Sequence, residues 1–135
     1  MPSQEPTIYM HIGEVATRTE LSLRSLRHWD DVGLLQPSGR TDGGFRLYTE
    51  ADVEKILVIR RMKPLGFSIE EMRVVMGDLA TLSAPIPDPS ELEAAHRRLD
   101  AIAQDAAARR EKLVRQVEMA DEFIDLIGKH SSARA

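Results

Sequence analysis

The spacing of apolar residues predicts two short helices near the start of the chain. In residues 12–19 the apolar positions fall on one side of a helix, and residues 23–32 repeat the pattern. Ser22 is a candidate N-cap for the second helix because its hydroxyl can accept from a first-turn amide, and Gly33 supplies the stop. Two short helices joined by a tight turn predict a helix-turn-helix.

The next segment has the pattern of a β-hairpin. Apolar runs at residues 34–35 and 45–48 flank a glycine-rich stretch that contains Asp42, Gly43 and Gly44. Glycine supplies the positive φ angles that tight hairpin turns require, and a β-favouring run follows it directly. The sequence therefore predicts a small two-stranded wing after the helix-turn-helix.

Two more helices are predicted, each opened by a capping box, in which a hydroxyl residue is followed three positions later by an acid. The first helix follows Thr49 and stops at Pro64, because proline lacks an amide donor. The second helix covers residues 69–76 and ends at Gly77. The two boxes are Thr49 with Asp52 and Ser68 with Glu71.

Residues 78–90 hold three prolines and predict a linker. Ser90 with Glu93 then opens a long helix, and we expect residues 91–128 to form a coiled-coil dimerisation helix of roughly 55 Å followed by a tail at 129–135.

Apolar residues along this helix follow the 3–4 alternation of a coiled-coil seam, which only Arg109 interrupts. A helix of this length cannot bury its stripe on so small a head, so a second copy of the chain is the simplest partner. The predicted dimerisation residues are Leu92, Leu99, Ile102, Ala106, Leu113, Val117, Ala120, Ile124 and Ile127.

Composition narrows the function by exclusion. The chain has no cysteine, which excludes disulfides, thiolate metal sites and thiol redox sensing. The four histidines are scattered without metal-ligand spacing, and the acidic groups are typical of solvated faces, so no metal, no cofactor and no enzymatic activity are expected. Without a membrane-length apolar run or the features of a signal peptide, we expect a cytoplasmic protein that does not contact a membrane.

The net charge of −4 argues weakly against a nucleic-acid partner, but phosphate contact needs only a local basic face. In the first half of the chain the acids fall mainly in separate groups, so folding can collect the cations on one surface. The cations concerned are Arg18, Arg24, Arg27, Arg40, Arg46, Arg60, Arg61 and Lys63.

Several motifs together resemble the MerR family of bacterial transcription regulators. They are IGEVA at residues 12–16, LRSLRHWD at 23–30, GLL-x-P at 33–37, GFRLYT-x-x-DV at 44–53 and LGFSIEEM at 65–72. They occur in family order and spacing. A single motif of this kind is weak evidence for a family, but several motifs in the same order and spacing are specific evidence.

The resemblance implies a mainly α fold: a winged helix-turn-helix DNA-binding domain over residues 8–77, with a small β-hairpin wing, and a long C-terminal antiparallel coiled-coil helix. The second helix would be the recognition helix in the major groove, and the wing would grip the flanking DNA backbone. The implied DNA-binding residues are Ser22, Arg24, Ser25, Arg27, His28, Trp29, Arg40, Arg46, Tyr48, Arg60 and Lys63.

The resemblance also implies a mechanism. A homodimer would bind a pseudo-palindromic operator in double-stranded promoter DNA and bend and untwist the promoter spacer, which realigns the elements that RNA polymerase contacts. Larger family members add a drug-binding domain after the dimerisation helix, and the short tail leaves no room for one. We therefore expect an effector in a small apolar pocket, no effector at all, or regulation by protein abundance.

The sequence departs from the family pattern in four ways. A common Tyr-Tyr pair is replaced by His28 and Trp29, and the helix-turn-helix turn has Glu20-Leu21 where glycine is usual. Pro64 stands where a charge is more common, and the cysteines of metal-sensing members are absent. Trp29 is equally compatible with the core and with a DNA contact, and for Tyr48 a backbone contact through the hydroxyl is favoured.

Two other functions are compatible with the pattern. An architectural or excisionase-like DNA-binding protein would share the winged head without controlling transcription directly. A protein-interaction module would use the coiled coil and have negligible affinity for DNA.

Overall fold

The structure is a computed structural model that describes residues 7–133. Helices account for most of these residues, and short strands form one small sheet, so the predicted mainly α class is confirmed. The chain divides between Met76 and Gly77 into two units, of which the first holds the sheet and the helix-turn-helix.

The predicted helix-turn-helix is present. Helix α1 is Ile12–Thr19 and helix α2 is Leu23–Asp31. The Ser22 hydroxyl caps α2, since it accepts from the backbone N–H of Ser25 at 3.0 Å. Gly33 follows α2 with a φ of 72°, a left-handed conformation that glycine adopts without strain. Both the start and the end of α2 therefore follow from local chemistry.

The turn between these helices contains an unusual backbone conformation. Glu20 is left-handed, with φ 56° and ψ 35°, and its N–H donates to the carbonyl of Ala16. A side chain in this conformation costs about 1–2 kcal/mol because its Cβ approaches the following carbonyl. The family pattern usually has a glycine in this turn, and here the left-handed position is occupied by Glu20 instead.

The wing is part of a sheet of three strands rather than two. Strands β2 (Gly39–Arg40) and β3 (Arg46–Tyr48) form the predicted antiparallel hairpin. A further strand, β1 (Met10–His11), pairs with the other edge of β3, so that the order is β1-β3-β2. Two residues are too few to show an alternating pattern, and the sequence therefore did not predict β1.

Helix α3 (Glu50–Met62) begins with the predicted capping box, in which Thr49 and Asp52 each accept from the other's backbone N–H. The buried Asp52 carboxylate also accepts from the backbone and hydroxyl of Ser38, so it ties the segment before the wing to α3. Pro64 ends the α-helix as predicted, although the chain continues through a 3₁₀ turn at Lys63–Leu65.

Helix α4 (Ile69–Leu82) also begins with its predicted capping box, since Ser68 and Glu71 exchange hydrogen bonds of 2.9 and 3.1 Å. The prediction that this helix ends at Gly77 is wrong, and residues 78–82 of the predicted linker are helical. A glycine inside a helix costs only about 1 kcal/mol. Gly77 does not have the positive φ that is typical of a glycine ending a helix, whereas Gly33, Gly44 and Gly66 do have a positive φ.

The core of the first unit lies between the helices and the sheet. Trp29 and Leu26 of α2 are buried there, which answers the open question about Trp29 in favour of the core. The other large buried side chains of this unit include Val15, Tyr48, Ile56, Ile59, Met62, Phe67 and Met72.

The second unit contains the end of α4 and the long helix α5 (Pro89–Ser132), whose 44 residues extend about 66 Å. Its N-cap is Asp88 rather than the predicted Ser90, because Asp88 accepts from the N–H of Ser90 at 2.8 Å. Pro89 then occupies the first helical turn, where proline is favoured. The helix starts two residues before the predicted start and continues beyond the predicted end.

Candidate nucleic-acid interface

Helix α2 presents a polar face opposite its buried one. Arg24, Arg27 and His28 are exposed, while Leu26, Trp29 and Asp30 are buried on the other side. Within residues 7–133 neither Arg24 nor Arg27 forms an ion pair, so both guanidinium groups are available to another molecule. Arginine can bind a phosphate or the O6 and N7 edge of guanine bidentately.

The hydroxyls at the start of α2 are less free. Ser22 accepts the capping hydrogen bond and also donates its own proton to the hydroxyl of Ser25, at 3.0 Å. Both residues remain at the surface, with Ser22 exposed and Ser25 half-buried. The DNA contacts predicted for these two serines would therefore compete with the hydrogen bonds that cap α2.

A groove of about 520 Å³ lies beside the polar face of α2. Cations, imidazole and hydroxyls line it together with the apolar side chains that close the core. In this groove α2 lies next to the connection between α3 and α4, which begins at Lys63. Its lining residues are Arg24, Ser25, His28, Trp29, Lys63, Phe67, Ser68, Ile69 and Met72.

Arg40 and Arg46, two wing residues predicted to contact DNA, bind a carboxylate of α2. Asp30 Oδ2 accepts from Arg46 Nε at 2.6 Å and from Arg40 Nη2 at 2.8 Å. Burial alone would raise the pKa of Asp30, but the hydrogen bonds from Arg46 and Arg40 outweigh it and leave this pKa below its usual value. The hydrogen bond to Asp30 also raises the pKa of Arg46. The carboxylate therefore stays charged and fixes both strands of the hairpin to α2.

Tyr48 lies in the core, against the expectation that its hydroxyl contacts the DNA backbone. It is 1% exposed, and its hydroxyl oxygen has no hydrogen-bond partner among the described residues. Burial raises the pKa of this phenol. The alternation of β3 turns Tyr48 inward because the strand is covered by the core on that face.

Arg60 is also engaged by the protein. Its Nη1 donates to the backbone carbonyl of Thr19 at 2.8 Å, which joins α3 to the end of α1. Lys63, by contrast, is exposed. Of the predicted DNA-binding residues, Arg24, Arg27, His28 and Lys63 thus have the most accessible polar groups.

The predicted dimerisation residues form a single stripe along α5. At 100° per residue they fall within an arc of about 100°. Burial changes along this stripe: the members up to Ala106 are half-buried, and those from Leu113 onward are exposed. The apolar surface left for a partner is therefore concentrated in the C-terminal part of α5.

Sequence reasoning missed several apolar groups. Met119, Phe123 and Leu126 are exposed and widen the stripe on one side near the end of α5. Their i, i+4, i+7 spacing was visible in the sequence but fell outside the seam. Phe45, at the tip of the wing, is 71% exposed and was assigned no role.

Comparison with known proteins identifies the fold and the family. A family model described as "MerR HTH family regulatory protein" matches residues 10–79, which is more than half of the chain. The chain belongs to the MerR family. The predicted resemblance is thereby confirmed, and the MerR match covers the sheet, the helix-turn-helix, α3 and most of α4.

Characterised relatives match mainly over this head. The HTH-type transcriptional activator TipA of Streptomyces coelicolor is 35% identical over 67% of this chain and 34% of its own length. The regulator ZntR of Escherichia coli is 38% identical over 48% of this chain and 46% of its own. The nodulation protein NolA of Bradyrhizobium elkanii is 42% identical over 53% and 32%. The matches thus span about a third to about a half of these relatives.

Solved structures agree with the fold over nearly the whole chain. HiNmlR, described as a MerR family regulator lacking the sensor domain and bound to promoter DNA, superposes with a TM-score of 0.69. It is 18% identical, and the match covers 93% of this chain and 94% of HiNmlR. A MerR family regulator of Bacillus thuringiensis gives 0.65 at 21% identity, covering 87% and 95%. The long helix after the head is therefore part of a known architecture.

Residues 7–133 contain neither a candidate metal site nor a membrane-spanning helix. No cluster of three or more histidine, aspartate or glutamate side chains is arranged to hold a metal ion there. In the same residues, no helix has the length and apolar content needed to span a membrane.

Proposed function

We propose that this MerR family chain is a sequence-specific, DNA-binding transcription regulator that acts as a homodimer in the cytoplasm. Helix α2 would enter the major groove of a pseudo-palindromic operator in promoter DNA. Arg24 and Arg27 would contact bases or phosphates, and His28 and Lys63 would contact the backbone.

The observation that carries the proposal is the free polar face of α2. Its cations have no ion-pair partners within the described residues, whereas Arg40, Arg46 and Arg60 are held by the protein. Surface arginines on a helix face are common on their own, but here Arg24 lines a groove together with His28 and Lys63. Phosphates bound along such a surface release condensed counterions and contribute to affinity.

Dimerisation is supported by the exposed stripe on α5. Leu113, Val117, Ile124 and Ile127 are all at least 36% exposed, and together they form a continuous apolar strip of the kind that marks a protein interface. A second copy would place its own stripe against this one in an antiparallel coiled coil. Two heads held in this way would read the two halves of a pseudo-palindrome.

The regulatory step would be distortion of DNA. The dimer would bend and untwist the spacer of a promoter, so that RNA polymerase can contact both promoter elements at once. Bending the duplex of a promoter spacer costs a few kcal/mol, and the protein–DNA contacts that the bend adds have to offset this cost. The proposal needs neither a metal nor a cofactor.

Salt dependence tests DNA binding. A duplex that the wild-type chain enriches from a random-sequence pool should bind with an affinity that falls steeply between low and physiological salt. Arg27→Ala should reduce that dependence, whereas substitution of the exposed Ile86 should leave it unchanged. If no duplex is enriched, a protein-interaction module that uses α5 becomes the better explanation.

Spacer length tests the distortion mechanism. Footprinting locates the operator relative to the promoter, and the spacer is then shortened to the optimal length for the polymerase. We expect the shortened promoter to become independent of the regulator. Binding without any effect on transcription at either length would instead favour the architectural or excisionase-like alternative.

A further inference from the structure

Phe45 is a large apolar side chain that the fold does not bury. It lies in the wing turn, directly before β3, and is 71% exposed. Single exposed apolar residues are common on proteins, so exposure alone assigns no role. The structure of the turn that carries this ring and the charges around it do indicate a role.

The wing turn holds Phe45 in a defined position. Thr41 N–H donates to the Phe45 carbonyl at 2.9 Å, and Phe45 N–H donates to Thr41 Oγ1 at 3.1 Å. Gly44 N–H donates to the Thr41 carbonyl at 2.8 Å, and Gly44 has a φ of 83°. These hydrogen bonds order the backbone at the tip, so little entropy remains to be lost there when the ring meets a partner.

The ring lies over Gly43. A Cβ at this position would come within 3.3 Å of Phe45 Cε2, closer than nearly all real contacts of that kind. The absence of a side chain at position 43 therefore leaves room for the ring to rest against the turn. One side of the ring is supported by the backbone, and the rest faces outward.

The charges near the tip are balanced. Arg40 and Arg46 both bind Asp30, and Asp42 adds a second acid within the turn. The tip therefore has little net charge with which to attract a phosphate. What the wing does present to a partner is the apolar ring of Phe45.

We propose that Phe45 packs against a deoxyribose of the bound duplex, beside the groove that α2 enters. This inference rests on the proposed DNA-binding function. The hairpin is fixed to α2 through Asp30, so a duplex held by α2 passes the wing. The sugars form an apolar band between the phosphates and the bases, and covering them removes apolar surface from water whatever the base sequence.

Phe45→Ala and Phe45→Leu test the inference by affinity and by salt dependence together. The probe is a fluorescein-labelled duplex that the wild-type chain has enriched from a random-sequence pool, titrated at several potassium chloride concentrations. We expect about tenfold weaker binding for Phe45→Ala and near wild-type binding for Phe45→Leu.

The slope of log affinity against log salt should be that of the wild type for both variants, because no phosphate contact is lost. Arg27→Ala is the contrasting variant, with a slope reduced by about 1. Ile86→Ala is the matched control for removal of an exposed apolar side chain outside the wing. It should bind as the wild type does.

Three results would overturn the inference while the wild type still binds the duplex. Unchanged affinity of Phe45→Ala would show that the ring has no partner in the complex. A reduced salt slope for that variant would assign the loss to a phosphate contact. A shift of Phe45→Ala toward monomer in ultracentrifugation would assign the ring to an interface between two copies. Absence of salt-dependent binding by the wild type itself would instead refute the regulator proposal.

Discussion

Asp30 and Arg46 join helix α2 to the wing, with Arg46 Nε only 2.6 Å from Asp30 Oδ2. The same oxygen accepts from Arg40 on the neighbouring strand. Asp30 is buried and Arg46 is half-buried, so this pair is only partly screened by solvent. One carboxylate therefore links α2 to both strands of the wing.

Asp30→Asn should destabilise the protein. The substitution retains the shape of the side chain but removes the carboxylate that binds Arg40 and the nearer of the two carboxylates that pair with Arg46. We expect a loss of about 1–3 kcal/mol in the free energy of unfolding, measured by urea denaturation at neutral pH. The matched control is Asp31→Asn, since Asp31 is exposed and lies 3.7 Å from Arg46. Equal effects of the two substitutions would contradict the special role of Asp30.

The pH dependence of that loss follows from the lowered pKa of Asp30. A carboxyl whose pKa is lower in the folded state contributes stability above its unfolded pKa of about 3.9. That contribution disappears as the pH falls through the folded pKa. The stability difference between the wild type and Asp30→Asn should therefore be constant from pH 7 to about 5 and shrink below about pH 4. Urea denaturation at pH 7, 5 and 3 measures it, and a difference that grows on acidification contradicts the assignment.

Glu20→Gly should stabilise the head. Glycine adopts the left-handed conformation of position 20 without strain, although its greater freedom in the unfolded chain offsets part of the gain. We expect an increase of up to about 1 kcal/mol in the free energy of unfolding. Glu20→Ala retains the Cβ and should show no such increase. If the two substitutions have the same effect, the strain at position 20 is not what limits stability.

Arg27→Ala and Arg46→Ala should separate binding from folding. Arg27 is exposed and has no ion-pair partner in the described part of the chain, so its loss should weaken operator binding by about 1–3 kcal/mol and leave the melting temperature unchanged. Arg46→Ala should lower the melting temperature because it breaks the bond to Asp30. Anisotropy titrations and thermal melts of both variants provide the comparison. If Arg46→Ala kept the wild-type melting temperature but lost DNA binding, Arg46 would be assigned to the DNA interface.

Val117→Glu should produce monomers whose head remains folded. Val117 is 60% exposed in the chain, so a charge there disturbs a partner rather than the fold. Gln104→Glu introduces the same charge on the opposite side of α5 and is the control. Sedimentation velocity should show a monomer for Val117→Glu and a dimer for Gln104→Glu. Far-UV circular dichroism should show that both variants remain folded. A dimeric Val117→Glu would refute the seam.

Features that depend on neighbours in sequence were predictable. The Ser22 cap and the Thr49–Asp52 box follow from hydrogen bonds across three residues, and Gly33 follows from its backbone freedom. The spacing of apolar residues was sufficient to place α1 to α3 because each helix buries one face.

Features that depend on distant partners were not predictable. Asp30 and Arg46 are 16 positions apart, so their pairing needs the folded sheet, and Arg46 looked like a free cation until then. Tyr48 could be assigned to the core only once β1 was seen to pair with its strand. At the start of α5, Asp88 and Ser90 are both good caps, and the choice depends on how Pro89 fits the first turn.

The exposed stripe of α5 has a consequence for how such a regulator responds to its own amount. Side chains that are covered only in a dimer make association subject to mass action, so the dimeric fraction rises with protein concentration. In the proposed dimer, occupancy of an operator with two half-sites would then rise steeply with the number of chains in the cell. Synthesis and degradation of the protein would thereby become a regulatory input in their own right, with or without a small-molecule signal.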